Sequence, residues 1–251
     1  MQAEQIQKMQ DKPHAGMPPL DASAGEVSWF EFAPAHLFYT PIALYCGWLS
    51  LRHFGLTLPT GSNPALPYSG LVGESKYEVL NHAWDTAQDW ISPYVRVLRW
   101  SGENAIERTL EDAETGLHKA GIAYPFVAKP DIGMRGAGVQ LVHTKAELMA
   151  YIERFPAGAN LLLQALVDME GEAGVFYVRN PDEQKGRIIS LTLKYFPRVT
   201  GDGQSTLRQL ILADARAGKL AHLYLERHRE RLHEVIPEGE SIRLAFAGNH
   251  C

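Results

Sequence analysis

The stretch YPFVAKPDIGMRGAGVQLV, residues 124–142, sets one charged side chain at the end of an apolar run, then spaced glycines, then a second apolar run. The two runs read as strands, Phe126 to Lys129 and Val139 to Val142, with the glycine-rich piece as the loop between them. An ammonium taken out of water is costly unless an anion or strong hydrogen bonds receive it, so Lys129 predicts an anion nearby. Gly133, Gly136 and Gly138 allow positive φ and carry no side chain, which lets backbone N–H groups close on a ligand as they do on phosphate. Two common phosphate motifs fail here. A P-loop needs its lysine after the glycines and before Ser or Thr, whereas Lys129 precedes them and is followed by Pro130. A Rossmann fingerprint needs GxGxxG opening a helix, whereas GMRGAG has the reverse order and runs into a strand. What remains is an ammonium beneath a glycine flap between antiparallel strands or, on the plainer reading, a surface hairpin with a solvated lysine.

Structured elements flank this hairpin on both sides. Upstream, Ser75 and Glu78 have capping-box spacing, and Tyr77, Leu80, Trp84 and Ile91 follow at helical intervals, which predicts a helix beginning at Ser75. A second helix is expected from Glu103 to Lys119, with Ile106, Leu110, Ala113 and Leu117 on one stripe and Gly121 ending it. Downstream, Thr144 and Glu147 repeat the capping box and open a helix through Leu148, Tyr151, Ile152 and Phe155. Strands are expected at Leu161 to Val167, Gly174 to Val178 and Arg187 to Tyr195. After the turn GDG at 201–203, helices are expected over Thr206 to Ala217, with Gly218 behind it, and over 221–235. Helices alternating with short strands and hairpins predict an α+β or α/β chain.

A chain of 251 residues with 45% hydrophobic content can bury a substantial core. Its formal net charge of -5 and the lack of a Lys/Arg stripe speak against nucleic acid as a partner. Cys46 and Cys251 form no CxxC pair and suggest neither a disulfide framework nor a zinc site, which fits a reducing cytoplasm. Residues 1–25 lack any period and are expected to be a mobile tail. Residues 32–51 carry no formal charge over twenty positions, long enough for a bilayer, but Pro34, His36, Pro41 and Gly47 interrupt them. A buried or interfacial helix is the expectation there, with a span and membrane-surface contact both left open. The Pro, Gly, Ser and Asn in 57–73 read as a long ordered loop.

Gln164 lies inside LLLQALV, where a bare amide is costly, and Glu172 follows ahead of another strand. Each has a bland reading, an amide satisfied by neighbouring backbone and a solvated turn residue. A purine would offer groups to the amide and a ribose would offer hydroxyls to the carboxylate. In order, YPFVAKPDIGMRGAGV, LLLQALVDMEGEAGVFYV and KYFPRVTGDGQSTLRQLI resemble the ATP-grasp superfamily of carboxylate-amine ligases, over about residues 74–218. The family includes D-alanine-D-alanine ligase, glutathione-forming ligases and cyanophycin synthetase. The resemblance implies an α+β fold whose two lobes close on ATP, with an acyl phosphate formed from a carboxylate and then attacked by an amine. It implies phosphate contacts from Lys76 and Lys129, and a covering loop that includes Gly133, Arg135, Gly136 and Gly138. Gln164 would lie beside adenine with the backbone of Ala165, Leu166 and Val167 as hinge, Glu172 would hold ribose, and Lys194 and Arg198 would meet the carboxylate or acyl phosphate.

The same resemblance implies ATP and Mg2+ as cofactors and a small carboxylate or amine as substrate, and leaves a homo-oligomer open. The expected organisation is a 1–25 tail, an apolar segment and linker over 26–74, a first lobe at 75–165 and a second at 166–251. The sequence departs from the family after Gly203. No Glu is followed two places later by Asn, and Asp214, Glu226, Glu230, Glu234, Glu238 and Glu240 fall in helical or turn patterns, so the magnesium ligands stay unassigned. The second lobe is therefore expected to be incomplete. His250 and Cys251 alone do not make a metal site. The other reading is a nonenzymatic nucleotide-binding or membrane-associated regulatory module.

Overall fold

In this computed structural model the described residues are 17–18, 33–71, 73–133, 136–169 and 171–245. Arg135, His250, Cys251 and all of the 1–25 tail except Met17 and Pro18 lie outside the described residues. The described residues divide into two compact units between Val167 and Asp168.

The first unit begins with helix α1 (Ala35–Arg52), which Pro34 precedes and which accommodates Pro41. Consecutive helical residues point about 100° apart, and Leu37, Phe38 and Tyr39 are all exposed, as are Leu44 at 70% and Leu51 at 72%. A buried helix is thus corrected: with apolar side chains spread around the cylinder there is no single stripe to pack against a sheet. Among the described residues no helix is long and apolar enough to cross a membrane. The following loop contains short 3-10 turns at Leu58–Gly61 and Pro67–Gly70. Within it, the backbone N–H of Asn63 donates to Ser69 Oγ at 2.9 Å and Asn63 Nδ2 to the Ser69 carbonyl at 3.1 Å.

Helix α2 (Lys76–Asn81) is capped by the Ser75 side chain, which accepts the Glu78 N–H. It stops well short of Ile91. Trp84 is extended and Asp85 takes φ 53°, which no α-helix carries through, and a separate 3-10 turn spans Asp85–Trp90. Strand β1 (Tyr94–Leu98) was not anticipated, although the alternating YVRVL after Pro93 carries a strand signal. Helix α3 (Ala105–Ala120) ends at Gly121 with φ 66°, as its C-terminal glycine predicts. Strands β2 (Phe126–Pro130) and β3 (Gln140–Val142) form the antiparallel hairpin. Helix α4 (Lys145–Arg154) is capped by Thr144, while the Glu147 carboxylate takes the His143 N–H. Strand β4 (Asn160–Ala165) completes a four-stranded sheet of order β1-β4-β2-β3.

Strand alternation decides which face each residue serves. Phe126, Ala128, Leu161 and Leu163 join Ala113, Leu117, Leu148 and Ile152 in one apolar core. The register sets Val127 opposite Gln164 and Lys129 opposite Leu162, so Lys129 and Gln164 are diagonal neighbours on the other face. That parity makes the site.

In the second unit, β5 (Glu172–Val178) and β6 (Arg187–Lys194) form an antiparallel hairpin with a bulge between Phe176 and Tyr177. A second pair joins β7 (Arg198–Thr200), also not anticipated, to β8 (Ser241–Arg243). Between them lie α5 (Leu207–Ala213) and α6 (Ala221–Arg227), both shorter than their sequence period suggests. Asp214 ends α5 because its carboxylate accepts the N–H groups of Arg216 and Ala217 and starts a new turn. Residues beyond α6 run back past the start of α5, where the carbonyls of Glu234 and Leu232 accept the otherwise unpaired N–H groups of Leu207 and Arg208. The GDG turn is held by Asp202, whose carboxylate is lowered to about 2, chiefly by the Ser205 hydroxyl and then by backbone N–H groups. Leu207, Ile211, Tyr224, Ile236 and Leu244 form this unit's own core.

Candidate functional site

The site in the first unit is assembled from the end of β2, the inner strand β4 and the first turn of α2. Lys129 Nζ donates to Gln164 Oε1 at 2.6 Å, and Gln164 Nε2 donates to the Ser92 carbonyl at 3.0 Å. The amide that sequence logic found costly is thus engaged on both sides. Ser92 also ties the strand end, its hydroxyl donating to the Ala165 carbonyl at 2.8 Å. The Ala165 N–H meets the Pro93 carbonyl at 2.9 Å, so the hinge positions with backbone groups beyond these bonds are Leu166 and Val167.

The charged side chain that bears on Lys129 is a second cation, Lys76. Burial lowers the Lys129 pKa first, and the neighbouring Lys76 ammonium lowers it further. Among the described residues no carboxylate is ion-paired with Lys129. Lys76 arrives from the N-terminus of α2, and its Nζ donates to the carbonyls of Asp131 at 3.2 Å and Gly133 at 2.9 Å. Each ammonium has three donors, so both retain N–H groups for a further acceptor.

Asp131 and Ser92 were not singled out from sequence. Asp131 is only 3% exposed, and its carboxylate accepts the Ser75 hydroxyl and the Tyr77 N–H, each at 2.8 Å. Only the Ser75 capping signal hinted at either partner, because these contacts span more than fifty positions of chain.

The glycine loop sits against Pro130. Gly136 has φ 75° and Gly138 has φ 72°, and a Cβ on Gly138 would meet Pro130 Cγ at 2.9 Å. Gly133 uses no positive φ, and a Cβ there would find ordinary contact at 3.5 Å, so backbone geometry demands only the later two glycines. The Gly138 carbonyl accepts the Tyr151 hydroxyl at 2.8 Å. Burial pushes that phenol far up, which keeps it a donor.

Lys76, Lys129, Gly133 and Gln164 are therefore brought together, with Gly136, Gly138 and the Ala165 to Val167 strand end carried by the same unit. Glu172, Lys194 and Arg198 belong to the other unit. There Glu172 opens β5 and Lys194 closes β6 as its register partner, 4.0 Å apart as an ion pair. Arg198 Nη1 reaches Ser241 Oγ at 3.5 Å. No group of three or more His, Cys, Asp or Glu side chains that could hold a metal ion occurs among the described residues. The magnesium that the resemblance implies therefore has no preformed group of three such ligands on them.

No family profile matches this sequence, and no curated protein matches it. Among solved structures, D-alanine-D-alanine ligase from Helicobacter pylori is similar at 15% identity with a TM-score of 0.33, over 64% of this chain and 45% of that one. The chain thus spans less than half the length of that ligase, and a likeness of this size carries neither fold nor activity across.

Proposed function

We propose that the Lys76 and Lys129 pair binds the phosphates of ATP, and that the chain serves a carboxylate-amine ligase of ATP-grasp type. The observation that carries this reading is the meeting of two ammonium groups, one of them desolvated, at the root of a glycine loop, with no carboxylate ion-paired to either among the described residues. A polyphosphate supplies the missing charge and accepts the donors that the two lysines retain. Positioning and charge stabilisation are the main tasks in phosphoryl transfer, and fixed cations suit them. Gln164, bonded to both Lys129 and Ser92, orients the lysine. Leu166 and Val167 offer backbone to the adenine edge, because the Ala165 groups are already bonded.

In the reaction proposed, a substrate carboxylate oxygen attacks the γ-phosphorus and ADP leaves; an amine then displaces phosphate from the acyl phosphate. No step is assigned to magnesium. A nonenzymatic nucleotide-binding module would use the same lysines and differ in turnover alone. Phosphate release from ATP, screened over amino acids and dipeptides with ATP binding followed in parallel, separates the two. The ligase reading expects release that depends on an acceptor and disappears in Lys129→Ala; binding without release under every acceptor supports the module, and no ATP binding contradicts both.

A further inference from the structure

We propose that Asp131 is a positioning residue for Lys76: its carboxylate locks the first turn of α2 onto the end of β2 and so holds the Lys76 ammonium beside Lys129. The role in ligand binding rests on the nucleotide reading given above; the placement itself does not.

Helix α2 has six residues, far too few to keep its shape without tertiary contacts. Asp131 supplies four of these. Its Oδ2 accepts the Ser75 hydroxyl and its Oδ1 the Tyr77 N–H, while its backbone carbonyl accepts both the Lys76 N–H at 3.0 Å and Lys76 Nζ at 3.2 Å. Ser75 is at once the cap of α2 and a donor to Asp131, so the carboxylate holds the residue that starts the helix. A carboxylate suits this place because both oxygens accept. An amide would still accept from Tyr77 but would turn its NH2 toward the Ser75 hydroxyl, which already accepts the Glu78 N–H at 3.1 Å. The Tyr77 ring is held separately, edge-on to Tyr94 at 5.8 Å and beneath the Arg96 guanidinium at 4.0 Å. Loss of the carboxylate removes the Ser75 and Tyr77 bonds and leaves the turn that carries Lys76 held by the backbone carbonyls of Asp131 and Gly133.

The test uses the full chain as wild type, Asp131→Ala, Asp131→Asn, Lys76→Ala, the Asp131→Ala/Lys76→Ala double variant and Lys129→Ala, with thermal unfolding as a control for folding. The first readout needs no nucleotide: the titration of Lys129 followed by NMR of isotope-labelled lysine side chains. Lys76→Ala removes a like charge and moves the Lys129 titration upward; Asp131→Ala and Asp131→Asn both remove an anion, so displacement of Lys76 is read as an upward shift of Asp131→Ala relative to Asp131→Asn. The second readout is calorimetric ATP affinity. Asp131→Ala should weaken it about tenfold, and the double variant should fall within about twofold of Lys76→Ala, because residues acting through one another are not additive. If Asp131→Ala fails to fold, Ser75→Ala removes one of the same bonds and should shift both readouts in the same direction by less. A Lys129 titration that Lys76→Ala moves and that is the same in Asp131→Ala and Asp131→Asn, or ATP losses that multiply in the double variant, overturns the proposal. Unchanged ATP affinity in Lys129→Ala overturns the nucleotide reading instead and leaves the titration as the judge of placement.

Discussion

Lys129 enters the fold with its pKa below its ordinary value of 10.5, through burial first and Lys76 second. A lysine lowered in the folded state binds protons less readily there than in the unfolded chain, so the folded chain gains stability as pH rises from the lowered value toward 10.5. Below that window the penalty on the charged form is fully present. Lys129→Met removes the titration, so the unfolding free energy of the wild type should improve relative to the variant as pH rises through the window. Urea unfolding at a series of pH values checks this, and a difference that stays flat contradicts it. Lys129 and Gln164 were legible from sequence because a polar group inside an apolar run demands a partner. The identity of the partner was not, since it follows from strand register, which sets Val127 opposite Gln164 and brings Lys129 diagonal to it. Asp131 was illegible for a similar reason: its partners lie at Ser75 and Tyr77.

The β2–β3 hairpin, α3 and α4 could be read from sequence because period, caps and terminal glycine agree at each of them. The end of α5 could not, because Asp214 stops it, and neither could the return of Leu232 to Val235 onto the start of α5, since no local pattern encodes these contacts. Within the hairpin loop, Gly138→Ala has to adopt φ near 72° and press on Pro130. It should destabilise the chain by about 1–2 kcal/mol, measured by chemical denaturation, whereas Gly133→Ala should be close to neutral. Helix α1 makes a different prediction. Leu44 and Trp48 are exposed at 70% and 50%, so the double change Leu44→Glu/Trp48→Glu should cut binding of a hydrophobic dye such as anilinonaphthalene sulfonate. It should leave the unfolding free energy unchanged within about 0.5 kcal/mol, as surface substitutions do. A large loss of stability would mean that α1 is packed.

Two apolar cores, one around Phe126, Leu148 and Leu163 and the other around Leu207, Ile211 and Tyr224, account for the two units of the described chain. Composition alone promised enough apolar material for such cores, but the division at Val167 follows from which residues meet, not from any linker signal at that point. The net charge of -5 makes the local meeting of Lys76 and Lys129 stand out further, since the molecule as a whole repels anions at long range and a polyphosphate must be held by short-range contacts. Those contacts are the central claim. Calorimetric titration of ATP into the wild type and Lys129→Ala tests it most directly: the account predicts binding by the wild type and a loss of about tenfold or more, roughly 1.4 kcal/mol, in the variant. Equal ATP affinity in the two proteins, or no binding by the wild type, would contradict it.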